Sequence, residues 1–166
     1  PEGQPSAVRL VHVGSPYESR SNEGEARAIV EHLAKAWCNS PGPRLSVGVV
    51  TFNAQQRDLI LDLMDERARG DSEFRSILAA EIERKEEGED QGFFVKNLEN
   101  VQGDERDAVL ISTTFGPDAA GRFVRFFGPL SDAEGYRRLN VMISRARRQL
   151  VVFTSMPVDQ VSDALS

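Results

Sequence analysis

A chain of 166 residues, 40% of them hydrophobic, is long enough for one domain with its own core. No apolar run approaches a membrane span and no charged-then-apolar leader is present, which predicts a soluble, cytoplasmic chain. A net charge of −6 excludes a generally basic nucleic-acid binder, and a lone cysteine, Cys38, excludes an internal disulfide or a cysteine-based metal site. Cys38 is expected to be a buried structural thiol beside Trp37.

Residues 1–7 read as a leader, 8–156 as the domain and 157–166 as the start of a tail or linker, within a longer parent protein. Val8 to Val13 predicts a strand. Asn22 and Glu25 form a capping-box pair ahead of Ala26, Ile29, Val30, Leu33 and Trp37, an apolar face at helical spacing. Ser46 to Phe52 is a second strand, and Asn53 with Gln56 caps a helix running through Leu59, Ile60, Leu63 and Met64 towards Gly70. Glu73 to Glu87 predicts another amphipathic helix with an acidic, solvated end. A short strand at Phe93 to Lys96 and a β-branched strand at Ala108 to Thr114 follow. Gly116 to Asp132, with Phe123, Val124, Phe126 and Phe127 among glycines and prolines, reads as a small hairpin or irregular loop. A helix from Glu134 to Arg147 and an apolar strand at Leu150 to Thr154 close the domain. Strands alternating with helices predict a mainly parallel α/β sheet with helices on both faces, whose ligands sit beyond the carboxyl ends of the strands.

Charge is unevenly spread. Glu81 to Asp90 holds six acids, whereas Tyr136 to Arg148 holds five arginines and no acid. On a helix from Glu134 to Arg147, Arg138 and Arg145 lie two turns apart and aim two guanidiniums one way. Such a face is either solvated surface or a phosphate-recognition element, for which arginine offers permanent charge and a fixed fork of donors. Val95 to Asp107 is unusually polar for a connection between strands; Gly103 permits a tight turn and Gln102, Asp104, Glu105, Arg106 and Asp107 supply polar groups. A charged turn with Arg106 neutralised by its neighbours explains it equally well. His12 and His32 have no ligand partners at metal-binding spacing and favour packing roles.

The string QGDERD before an apolar strand, and RRLNVMISRAR running into LVVF, resemble motifs V and VI of superfamily 1 helicases. VGVVTFNAQQRDLI is similar to motif IV of the branch that contains the nonsense-mediated-decay RNA helicase and large bacterial helicase-like proteins, with Thr51, Gln56 and Arg57 in place. Asn22, Glu25 and Ala26 match an Asn-x-x-Glu-Ala pattern that opens this domain in relatives. The resemblance spans Val8 to Ser155 and implies the second RecA-like domain of a DNA or RNA helicase. It implies that Arg145 reaches the γ-phosphate of ATP held, with Mg²⁺, mainly by an upstream RecA-like domain of the same parent. It places Glu105 near the nucleotide ribose, with Gln102 and Gly103 in the same loop and Arg138 bracing the loop or nucleotide. Thr51, Asn53, Gln56, Lys96 and Asn97 are implied to track single-stranded DNA or RNA; helix capping alone also accounts for Asn53 and Gln56, and a satisfied strand-end hydroxyl for Thr51.

Two departures stand out. Asp104 replaces an arginine common in eukaryotic relatives, and Ser144 replaces a threonine. No GxxxxGK[ST] loop occurs, nor any Gly-Lys pair. The isolated chain is therefore expected to lack ATPase activity. The alternatives are a degenerate RecA-like module that binds nucleic acid or protein without turnover, and a nuclease or transferase domain. For the latter, Asp104, Glu105 and Asp107 clustered beside Arg106 make a poor metal cage.

Overall fold

The computed structural model describes residues 7–40, 42–122 and 135–157, with 135, 136, 138 and 139 described in backbone only. Five parallel strands, β1 (Ala7–His12), β2 (Val47–Thr51), β5 (Phe94–Asn97), β6 (Arg106–Ser112) and β7 (Ala146–Thr154), form one sheet in the order β1-β7-β6-β2-β5. Helices α1 (Glu23–Cys38), α2 (Ala54–Gly70) and α3 (Ser72–Ile82) cover one face. Helix α4 (Gly135–Ile143) and the short 3-10 turn Leu98–Asn100 cover the other. The α/β fold expected from the alternating pattern is the fold observed.

Side-chain alternation along the strands builds two cores. Val49, Leu110, Val151 and Phe153 meet Ile29, Leu33, Trp37, Ile60, Met64 and Phe74 on one side. Val50, Val109, Ile111, Leu150 and Val152 meet Met142, Leu98 and Val101 on the other. The two N-caps hold, Asn22 Oδ1 accepting the Glu25 N–H and Asn53 Oδ1 the Gln56 N–H, but the reciprocal half of the capping box does not form, because the Asn22 N–H goes to Gln56 Oε1.

β7 begins at Ala146 rather than Leu150 and β6 at Arg106 rather than Ala108, and three element ends also differ from expectation. The helix predicted to reach Glu87 stops at Ile82, and the acidic stretch forms a hairpin of β3 (Lys85–Glu86) and β4 (Glu89–Asp90). Glu87 and Gly88 both have left-handed φ, +53° and +80°, as a tight two-residue hairpin turn requires. The helix predicted to Arg147 ends at Ile143, because Ala146 is already paired with Arg106 in the sheet. β6 ends at Ser112 rather than Thr114, whose φ of +68° turns the chain off the sheet. The part of the Gly116 to Asp132 loop from 123 onward lies outside the described residues; from Thr113 to Arg122 it is irregular.

Cys38 is half-buried rather than buried, and burial raises its thiol pKa. His32 packs edge-on against Phe153 with centroids 5.7 Å apart, as a packing role demands, while His12 is exposed at the end of β1. Among the described residues no group of three or more His, Cys, Asp or Glu could hold a metal, and no helix is long and apolar enough to cross a membrane.

Candidate functional site

Edge strand β5 pairs its Phe94 with Gly48 of β2, and a Cβ on Gly48 would fall 2.3 Å from the Phe94 ring. Only glycine there lets the ring cross β2. The Arg106 guanidinium and Lys96 Nζ then sit 5.1 and 4.9 Å from the ring centroid. Arg106 is buried: its Nε donates to Gly92 O at 2.9 Å and its Nη1 to Glu105 O at 2.8 Å. Burial lowers its pKa. Lys96 pairs with Asp104 at 2.7 Å. The residue that departs from the eukaryotic pattern thus has an internal cationic partner.

These anchors tie down both ends of the segment from Leu98 to Glu105 and leave Gln102, Gly103 and Glu105 exposed. Gly103 has φ +70° and open space where a Cβ would stand. Its glycine is required by backbone conformation, not by crowding within the domain.

Arg145 lies in the turn between α4 and β7. Its carbonyl accepts the Arg106 N–H at 2.9 Å, and its Nε is 3.3 Å from Val141 O. Glu105 and Arg145 therefore flank a shared backbone contact at the amino ends of β6 and β7. This corrects one expectation: Arg145 lies in a turn beyond the end of α4, not on the helix that carries Arg138. Glu105 and Arg145 stand at the amino ends of their strands, whereas the general rule for such sheets places ligands beyond the carboxyl ends. The Arg138 side chain lies outside the described residues.

Beside this pair, Arg147 bridges Asp107 at 3.2 Å and Gln91 at 2.6 Å, and Ser46 and Asp107 exchange two hydrogen bonds. Burial pushes the Asp107 carboxyl up, but the Ser46 N–H and the Arg147 guanidinium outweigh it and hold the pKa below the usual value. The cluster locks the approach to β6 against β7.

Four of the five residues implied to track a strand, Thr51, Asn53, Gln56 and Asn97, gather at the opposite, carboxyl edge, about 20 Å away at roughly 3.3 Å per residue of β6. Thr51 is buried and its hydroxyl donates to Asn53 O at 2.7 Å. Asn53 Nδ2 donates to Arg20 O at 2.9 Å. Asn97 Oδ1 accepts from Arg57 at 3.2 Å and Asn100 at 2.6 Å, and Arg57 also pairs with Asp58. Gln56 is fully buried: Nε2 donates to Asn22 O and Ser112 Oγ, and Oε1 accepts the Asn22 N–H. The structure brings Thr51, Asn53, Gln56 and Asn97 together, with Thr51 and Gln56 facing inward, whereas Lys96 stands apart from them, over the Phe94 ring and paired with Asp104.

Glu25 was legible as a capping partner and as part of the Asn-x-x-Glu-Ala pattern, with no role attached, yet it is the centre of this edge. Fully buried, its carboxylate accepts from the Ser112 hydroxyl at 2.8 Å, the Thr114 N–H at 2.9 Å and Asn22 Nδ2 at 3.0 Å. Burial pushes its pKa up to about 7 against these donors and Ser155. The available sequence signal was its place one turn before Ile29, on the apolar face of α1. Gly48 and Arg106 were missed as anchors because their partners are distant in sequence.

Residues 7–157 match the AAA domain family along nearly the whole chain. The chain belongs to that family. It is 36% identical over 149 residues to the uncharacterized ATP-dependent helicase MG140 of Mycoplasma genitalium, covering 88% of this chain and 12% of that protein. Its homolog in Mycoplasma pneumoniae is 35% identical over the same length and coverage. The chain thus spans about one-eighth of the length of these curated relatives. The C-terminal domain of a possible DNA helicase from Lactobacillus plantarum WCFS1 is similar at a TM-score of 0.48 and 16% identity, over 92% of this chain and 74% of that one.

Proposed function

We propose that the chain is the second motor domain of an ATP-dependent DNA or RNA helicase or translocase, acting against an upstream RecA-like domain of the same parent. The observation that carries this reading is the backbone tie between Arg106 and Arg145, which sets the Glu105 loop beside the Arg145 turn. A nucleotide gripped by the upstream domain would meet both at once. Arg145 supplies permanent positive charge for the γ-phosphate, an effect typically worth about 10³ to 10⁵ in rate. Glu105 accepts hydrogen bonds from the ribose hydroxyls, Gln102 and Gly103 let the loop close in, and Arg138 braces this side.

ATP and Mg²⁺ belong mainly to the upstream domain, in keeping with the missing phosphate loop here. The isolated chain has no turnover of its own. At the carboxyl edge, Asn53 and Asn97 contact the backbone of a single strand without reading its sequence, and Lys96, once released from Asp104, adds a further phosphate contact. Thr51 and Gln56 serve the same track from beneath by fixing Asn53. Separate edges for nucleotide and strand suit a motor in which closure at one edge shifts grip at the other.

The test is nucleic-acid-stimulated ATP hydrolysis by the intact parent with and without Arg145→Ala. Loss of turnover with the fold intact is expected, and unchanged turnover refutes the assignment. A degenerate binding module would give the unchanged result.

A further inference from the structure

Beside Asn53 lies a segment outside every motif named above, the loop from Ser15 to Ser21 that leads into the α1 cap. Glu18 and Ser21 exchange backbone hydrogen bonds at 2.9 and 3.0 Å across Ser19 and Arg20, which take left-handed φ of +53° and +63°. Neither is glycine or asparagine, the residues that adopt this conformation readily, so the turn is strained and must be held from outside. Three clamps hold it. Asn53 Nδ2 grips the Arg20 carbonyl at 2.9 Å, the Pro117 carbonyl grips the Tyr17 N–H at 2.8 Å, and Gln56 grips both backbone groups of Asn22.

The turn leaves two chemically specific side chains on the carboxyl edge. Tyr17 is half-buried, its ring 5.1 Å from that of Phe115, which is itself 6.4 Å from Phe52. The Tyr17 hydroxyl lies within hydrogen-bonding reach of Asn53. Arg20 is exposed and no carboxylate pairs with it among the described residues. An aromatic ring fixed on its inner side, next to an unpaired guanidinium, is the combination that binds single strands without sequence preference.

We propose that Tyr17 and Arg20 extend the single-strand track beyond Asn53, Tyr17 stacking with a base and Arg20 contacting a phosphate. This rests on the helicase reading above. The strained turn holds the Tyr17 ring and the Arg20 backbone in place, so the strand gains a stacked nucleotide without first ordering a loop.

The test measures binding of the intact parent to fluorescent oligo(dT) and oligo(U) by anisotropy over a range of salt. Tyr17→Ala is expected to weaken binding roughly 10-fold with an unchanged salt slope, while Tyr17→Phe stays near wild type. Arg20→Gln is expected to lower the slope of log affinity against log salt by about 0.7. Bromodeoxyuridine-substituted oligo(dT) should photo-cross-link to the peptide holding Tyr17, a measurement on wild-type protein that needs no variant to fold. If Lys96→Gln lowers the salt slope while Tyr17→Ala and Arg20→Gln change nothing and no cross-link forms there, this inference is overturned and the track reading stands. If the parent fails to bind either oligonucleotide, the helicase reading falls and this one with it.

Discussion

Replacing Glu25 by glutamine gives a pH-dependent change in stability whose sign and size follow from its surroundings. In the folded chain burial holds the carboxyl near 7, against an ordinary value of 4.5 for the unfolded chain. A carboxyl raised on folding binds more protons in the folded state, so its contribution is most favourable below the unfolded pKa and is lost as pH rises through the folded one. The interval between the two values, at about 1.4 kcal/mol per pH unit, corresponds to about 3 kcal/mol. Most of the loss falls between pH 5 and 7. Asp107 works in the other direction and outside this window, since its lowered carboxyl contributes stability that disappears only as pH falls through the acid range. Glutamine keeps an oxygen for Ser112 and Thr114 but turns an amide towards Asn22 Nδ2, a donor facing a donor. The variant should therefore be less stable than wild type at pH 5, by about 1 to 3 kcal/mol for the lost hydrogen bond, less the small part of the carboxyl's titration already felt by wild type at that pH. The gap should narrow or reverse by pH 8. Urea unfolding of both proteins at fixed pH values reads it directly. A difference that stays constant from pH 5 to 8 would show that Glu25 does not titrate in this range and that the donors hold it ionised throughout.

Gly48→Ala drives a methyl group into the Phe94 ring and should cost about 1 to 3 kcal/mol by urea unfolding, with the loop from Leu98 to Glu105 losing hydrogen-exchange protection first. Gly103→Ala meets no neighbour yet must adopt φ +70°, so a loss of about 1 to 2 kcal/mol is expected, and none at all would show the loop relaxing freely. Arg106→Met leaves the Gly92 and Glu105 carbonyls without their buried donor and should cost about 2 to 3 kcal/mol by the same measurement. Arg145→Ala, by contrast, should leave the unfolding free energy of the domain within about 0.5 kcal/mol of wild type by urea unfolding, because among the described residues its side chain makes only a long contact to Val141 O.

Local sequence determined the elements that local physics can determine. Asn22 and Asn53 before apolar periods mark two helix starts, and the Val-rich run Val47–Val50 and the run Leu150–Phe153 mark strands buried on both faces. The motif strings bring Arg145, Glu105 and Asn97 to attention as residues. Tertiary structure decided where they stand. A helix and a strand compete for Ala146, and the choice rests with Arg106, forty positions away, whose backbone supplies the pairing that ends α4 early. That pairing moves Arg145 from a helix face to a turn and puts it with Glu105 at the amino edge, opposite to the expected end of the sheet. The acidic stretch could continue a helix on composition, but two successive left-handed residues at Glu87 and Gly88 close a hairpin instead. Glu25 is a capping residue by spacing and a buried hub by burial, because only packing α1 and α2 against the ends of β6 and β7 removes it from water and surrounds it with donors. Pairing register and burial are properties of distant partners, and a single segment of chain carries no record of them.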